Sequence, residues 1–282
     1  QKTAYEIMPS LVGSEMCIRD RSNFGYTMFK NSSYHGPTQL ELETEFEKTV
    51  SVSFDTLQKD LDADVKVLVV VEPPCVHPFD DNVRKGASEY DLILTYREWL
   101  VEELDNAQLF NWSNCWIKDA KLDKRNQLSF LTTNKGWCEG HKLRQEIWYA
   151  LEEYDEINDF EVWKKRTPPS IPNKNVALEN AKFTISLENS EINNYFSEKL
   201  LDCFETKTIP LYWGCPNVGD YFNMDGVLHF HTIEEMEDLI NSLTPEMYDA
   251  KLEAVEDNYL RGKKYHNATD RVADEIRNFI SK

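Results

Sequence analysis

The chain has 282 residues, 41% of them apolar and 12% aromatic, which suits one large domain or two ordinary ones and excludes a disordered chain. A formal charge of −19 without any long basic cluster sets nucleic-acid binding aside; the most basic patch, Arg261-Gly262-Lys263-Lys264, reads as solvated surface at a helix end. No apolar run reaches the ~18 residues of a membrane span, and cysteines 17, 75, 115, 138, 203 and 215 show neither C-x-x-C spacing nor a histidine pattern suited to zinc.

Residues 7–21, IMPSLVGSEMCIRDR, resemble a translated sequencing adapter and carry neither a secretory apolar core nor an amphipathic period. Residues 1–22 are therefore set apart as a non-native tail, with the native start missing and the domain behind it truncated. Glu41 to Val50 is expected to be a short helix. The β-branched run Val65 to Val71, VKVLVVV, has the pattern of a parallel strand covered on both faces, and it stops at Glu72-Pro73-Pro74. Asp91 to Tyr96 reads as the next strand and Arg97 to Asn106 as a helix or loop, giving an incomplete α/β domain over residues 23–122.

A second α/β domain is expected over residues 123–282. Leu128 to Thr133 is its first strand. The loop NKGWCEG leads into a helix from His141 to Tyr154, with Leu143, Ile147, Ala150 and Tyr154 as one buried stripe and Arg144 in about its first turn. KKRTPPSIPNK, residues 164–174, reads as a proline-punctuated connection. Phe183, Ile185 and Leu187 alternate with Thr184 and Ser186 as a strand. A helix follows with Ser197 as N-cap and Leu200, Leu201 and Phe204 on its apolar side. Ile209 to Trp213 is another strand, and helices are expected over Glu234 to Leu243, Ala250 to Leu260 and Thr269 to Ile280. Alternating strands and helices call for parallel sheets with right-handed crossovers. Cys203 and Cys215 fall in buried segments and read as reduced thiols. The sequons at Asn31, Asn111 and Asn267 are short enough to arise by chance. His229 and His231 alternate on an expected strand, where satisfied structural histidines, rather than a metal site with Asp225, are the ordinary reading.

Ligand sites in parallel sheets lie beyond the carboxyl ends of the strands. Glu72 ends one strand, Arg144 follows another, and Glu188-Asn189 with Tyr195 to Lys199 bridges a third strand and its helix. A helix N-terminus favours anions, yet Lys199 is mildly unfavourable there, so a bound phosphate would account for it, with Arg144 completing a two-cation clamp. Pairing of both cations with nearby glutamates accounts for them equally well. No G-x-G-x-x-G, G-x-x-x-x-G-K-[ST] or G-x-S-x-G motif is present.

Phe183, Leu187, Glu188, Asn189, Ser190, Tyr195, Phe196, Ser197, Glu198 and Lys199, then Ile209, Pro210 and Gly214, form a long irregular pattern. It resembles the signature of the family 10 glycosyltransferases, the α1,3/α1,4-fucosyltransferases. GHKLRQEIWYAL is similar to the family's segment bearing a donor-binding arginine, which falls on Arg144, and VVVEPP is similar to its strand-end glutamate. Phe196 and Ser197 depart from the family's Ile/Val and Thr, although Ser197 keeps the cap. The resemblance covers roughly residues 65 to 280.

It implies a GT-B-type α/β fold, two Rossmann-like domains facing a cleft, with transfer of fucose from GDP-fucose to a hydroxyl of an acceptor glycan, with inversion. By position, Arg144 and Lys199 would hold the diphosphate and Glu198 the ribose. Asn189 and Tyr195 would line the donor pocket, and Glu72 would be the general base. No metal or other cofactor is expected, and the partners are the nucleotide sugar and the acceptor glycan, with no nucleic acid and no visible membrane association. For a microbial source the place would be cytoplasmic or peripheral at a membrane. A same-fold transferase using another nucleotide sugar, or a non-catalytic module binding nucleotide sugar or glycan, would share the pocket.

Overall fold

A computed structural model describes the backbone of residues 26–29 and 39–43, and residues 48–58, 63–117, 119–167 and 174–282 in full. The adapter-like tail, residues 1–22, lies outside the described residues. The chain forms two compact units, one running up to Trp112 and taking in Ala268–Lys282, the other comprising Ser113–Asn267. The boundary thus falls at 112 where the sequence suggests 122, and the closing helix groups with the first unit where the sequence suggests the second.

The first unit is a six-stranded sheet in the order β1 (Tyr26–Phe29), β2 (Gln39–Glu43), β3 (Thr49–Phe54), β4 (Val65–Val70), β5 (Leu92–Thr95), β6 (Ala107–Leu109). The first two pairings are antiparallel and the remaining three parallel. The helix expected over Glu41 to Val50 is therefore two strand segments. Glu41 and Leu42 pair across to Ser51 and Val50, and the β-branched alternation of TVSVSF favours an extended backbone over a helix. Strand β4 is covered on both sides, as its unbroken apolar run requires. Val65, Val67 and Val69 pack with Val50, Val52 and Leu94 against Ala268, Val272 and Ile276 of the last helix. Leu68 and Val70 pack with Ile93 against Phe79, Val83 and Leu100. Val83 lies on α1 (Asp80–Gly86) and Leu100 on α2 (Glu98–Glu103).

In the second unit the elements in chain order are β7 (Arg125–Thr133), α3 (Glu139–Ala150), β8 (Glu156–Ile157), β9 (Phe160–Thr167), α4 (Asn175–Leu178), β10 (Ala181–Leu187), α5 (Glu198–Glu205), β11 (Ile209–Trp213) and β12 (Leu228–His229). The helices α6 (Ile233–Ser242), α7 (Pro245–Ala250) and α8 (Leu252–Lys263) follow, and α9 (Ala268–Ile280) returns to the first unit. The sheet order is β12-β11-β10-β7-β9-β8, parallel except for the β8–β9 pair. Strand β9 corrects the expectation of a connection over residues 164–174, since Lys164 to Thr167 belong to it. Its buried Phe160 and Val162 alternate with exposed Glu161, and the basic run KKR conceals that period. Helix α3 begins two residues before His141 and ends at Ala150, so Arg144 lies in its second turn. Tyr154 is outside it and 52% exposed, not part of a buried stripe.

From β7 the chain moves first to β9 on one side and then returns to β10 on the other. The carboxyl ends of β7 and β10 are thus a topological switch point, where diverging connections open a crevice. Helices α3 and α5 both start there.

Candidate functional site

Strand β10 ends in Leu187, and the next residue, Glu188, is fully buried. Its backbone N–H donates to Trp213 O at 2.9 Å, continuing the β10–β11 ladder. Its side chain turns to the start of α5. Glu188 Oε1 accepts the Ser197 backbone N–H at 2.8 Å and Oε2 accepts the Ser197 hydroxyl at 2.7 Å. Ser197 is the N-cap, as the sequence implied, and its Oγ accepts from Lys199 N at 3.3 Å. The chain's own carboxylate thus occupies one of the backbone donors at this helix end.

Lys199 sits among acids. Its Nζ is 3.4 Å from Glu188 Oε2, 3.3 Å from Glu198 Oε1 and 3.0 Å from Ser197 Oγ. Burial opposes charge on Glu198, but Lys199 and Lys174 beside it hold its carboxyl down at about 2. Arg144 is buried, and its Nη2 donates to Leu187 O, to Glu188 O at 3.0 Å and to Asn189 Oδ1 at 3.3 Å. Its charge thus stands beneath the strand end. Asn189 O in turn accepts from Gly140 N at 3.1 Å, tying the start of α3 to the same turn. Tyr195 is buried close to Arg144. The structure brings Arg144, Asn189, Tyr195, Glu198 and Lys199 together at one junction.

Two glycines permit this packing. A Cβ at Gly140 would sit 1.9 Å from Glu188 O, and one at Gly214 2.6 Å from Glu188 Cγ. His141, one residue after Gly140, is buried, and its Nδ1 accepts the Cys138 N–H at 3.2 Å. Burial and the neighbouring charges of Arg144, Lys135 and Lys199 drive it down to about 3, so the imidazole is neutral.

Sequence reasoning gave Glu188 no role and missed Lys174 and Asp202. Asp202 falls four residues after Glu198 on a helix side that is buried, and such a like-charge pair signals a missing cation. Lys174 is that cation, but nothing in its own surroundings marks it.

In the first unit Glu72 is exposed beyond the end of β4. Its N–H donates to Asp55 Oδ2 at 3.0 Å, the Val71 N–H donates to Asp55 Oδ1 at 2.8 Å, and Arg97 donates to Glu72 O. Asp55 has a left-handed backbone, φ 47°. Burial pushes its carboxyl up to about 6, against the pull of the two N–H groups and Arg97.

Among the described residues one metal-ligating group assembles, with Cys115 Sγ and ligand atoms of Glu205 and His266 within 4.8 Å of one another. Glu205 already accepts Lys263 Nζ at 2.6 Å and lies 3.0 Å from His266 Nε2, so the cluster is balanced internally. His231 Nδ1 lies 2.6 Å from Glu191, while His229 Nε2 is buried with no hydrogen-bond partner, which corrects the expectation that both histidines are satisfied. Among the described residues no helix is long and apolar enough to cross a membrane.

A family model described as glycosyltransferase family 10 (fucosyltransferase), C-terminal part, matches residues 122–273. The α-(1,3)-fucosyltransferase FucT of Helicobacter pylori is 27% identical over 118 residues, covering 42% of this chain and 24% of that protein's length. A crystal structure of an α1,3-fucosyltransferase aligns at 16% identity over 79% of each chain, with a TM-score of 0.50. A crystal structure of TarM aligns at 13% identity over 80% of this chain and 52% of the other, with a TM-score of 0.53. These two likenesses concern the fold, which is an α/β fold of the GT-B class.

Proposed function

The chain belongs to glycosyltransferase family 10, and on that premise we propose that it transfers fucose from GDP-fucose to a hydroxyl of an acceptor glycan, with inversion at the sugar carbon. The observation that carries the proposal is Lys199, an ammonium held by two carboxylates and a hydroxyl at the first turn of α5, beside the switch point. Departure of a nucleoside diphosphate builds negative charge, and a fixed cation that can exchange carboxylate for phosphate stabilises that charge where it forms. Arg144 adds positive potential from beneath Glu188 and Asn189. Glu198, with a carboxyl that stays ionised, accepts the ribose hydroxyls, and Asn189 and Tyr195 line the pocket. Glu72 takes the proton of the acceptor hydroxyl as it attacks.

A thermal-shift panel of nucleotides tests the donor class: selective stabilisation by GDP over UDP and CMP supports the proposal, and a preference for UDP moves it to another sugar donor. Glu72→Gln then separates an enzyme from a binding module. The variant is expected to bind GDP normally and to lose transfer, and unchanged transfer removes Glu72 from the mechanism.

A further inference from the structure

Lys174 precedes α4 and reaches α5 with its side chain only 16% exposed. Its Nζ lies 3.1 Å from Asp202 Oδ2 and 3.4 Å from Glu198 Oε1, and it stands 4.1 Å from the centre of the Trp116 ring. Asp202 is fixed from its other side, since Oδ1 accepts the backbone N–H groups of Trp116 at 2.7 Å and Ile117 at 3.0 Å. Lys174 is therefore anchored by a buried carboxylate and an aromatic face, and it cannot leave Asp202 without stranding a buried charge. Lys199, by contrast, is 24% exposed. Both ammoniums meet Glu198 at the same oxygen, Oε1.

The consequence appears when a diphosphate arrives. Lys199 must give up part of its hold on Glu198 to meet the phosphate, which alone would leave that carboxylate mobile and short of a counter-charge. We propose that Lys174 is a positioning residue for the nucleotide's ribose, holding Glu198 in its accepting orientation while Lys199 engages the diphosphate. This rests on the reading of Glu198 as the ribose acceptor. Lys174 touches no substrate and acts through Glu198. Its loss therefore costs affinity only for ligands that offer Glu198 a hydroxyl.

The test is calorimetric titration of the full chain with GDP and with 2′,3′-dideoxy-GDP, for the native protein and for Lys174→Met, Lys174→Gln and Glu198→Gln. The native protein is expected to prefer GDP. K174M should weaken GDP by about tenfold, the scale of one charge-assisted hydrogen bond, and leave dideoxy-GDP within about twofold. In a K174M/E198Q double variant the two losses should not add. K174Q keeps a donor on a stem one carbon shorter, and it is read with the same pair of ligands should K174M fail to fold. Equal weakening of both ligands by the folded variant would show a purely structural lysine and overturn the proposal. A native protein that ignores GDP, or an E198Q variant that still distinguishes the two ligands, instead removes the ribose reading on which it rests.

Discussion

Replacing Lys199 with alanine separates catalysis from stability at this junction. At an effective dielectric of ~20, each of its carboxylate contacts, at 3.4 Å to Glu188 and 3.3 Å to Glu198, represents about 5 kcal/mol of Coulomb attraction before desolvation is counted. Little of that is lost from folding, because both partners keep other donors. Glu188 retains the Ser197 N–H and hydroxyl, and Glu198 retains Lys174. The expected stability loss is therefore about 1–2 kcal/mol, well below the ~3–5 of a buried pair broken outright. On the proposed function, transition-state stabilisation would have no such replacement. Arg144 has its Nη2 committed to carbonyls, so losing the ammonium should resemble losing one oxyanion donor, about 3 kcal/mol or roughly 150-fold in kcat/KM. Denaturant unfolding gives the first quantity, and initial rates with GDP-fucose and a fucose acceptor give the second. A K199A variant within threefold of native kcat/KM would falsify the placement of this lysine on the diphosphate. A stability loss above about 4 kcal/mol would show instead that the ion pairs are structural.

Gly140→Ala lies within a helix, where the exchange ordinarily stabilises by up to about 1 kcal/mol. Here the new Cβ would meet Glu188 O at 1.9 Å, so about 2–3 kcal/mol of destabilisation is expected by chemical denaturation, together with weaker GDP binding. Glu188→Ala removes the acceptor of the Ser197 N–H and of its hydroxyl proton at a partly buried helix start and should cost about 2–4 kcal/mol; a loss below 1 kcal/mol would mean the cap does not depend on it. The Glu198 carboxyl sits at about 2 in the folded chain against an ordinary 4.5, so its contribution is present above pH 4.5 and is lost as pH falls from there toward 2. That contribution is about 3 kcal/mol, and Glu198→Gln should flatten this part of the acid limb in pH-dependent unfolding.

The parts of this fold that were legible are those where a local period decides the structure. The alternation of FTISL gave β10, the apolar run IPLYW gave β11, and Ser197 gave the start of α5. Strand β9 was hidden because charged residues occupy its less buried positions, and a basic run reads as loop unless the buried Phe160 and Val162 are weighed against it. The last helix shows an amphipathic face, but a face does not say which sheet will cover it. Its Val272 and Ile276 go to the valines of β3 and β4 in the first unit. Arg144 was legible as a residue near the crevice. Its bonds to the Leu187 and Glu188 carbonyls were not, since a backbone carbonyl has no sequence signature.

The charges at this junction are balanced within the chain itself. Arg144, Lys174 and Lys199 supply three positive charges, and Glu188, Glu198 and Asp202 supply three negative ones. Buried like charges would repel one another; interleaved, each is offset by an opposite charge nearby. An empty helix end awaiting phosphate is therefore the wrong picture. On the proposed donor reading, Glu188 and Glu198 hold Lys199 close to where charge would develop on the leaving group. On that reading a diphosphate would have to compete with Glu188 and Glu198 for Lys199. Affinity for the nucleotide should then be limited by that exchange. Weakening the competitor while keeping the shape, as in Glu188→Gln, is expected to tighten GDP binding even as it lowers stability. A Glu188→Gln variant that loses both would show that the carboxylate positions the lysine more than it restrains it.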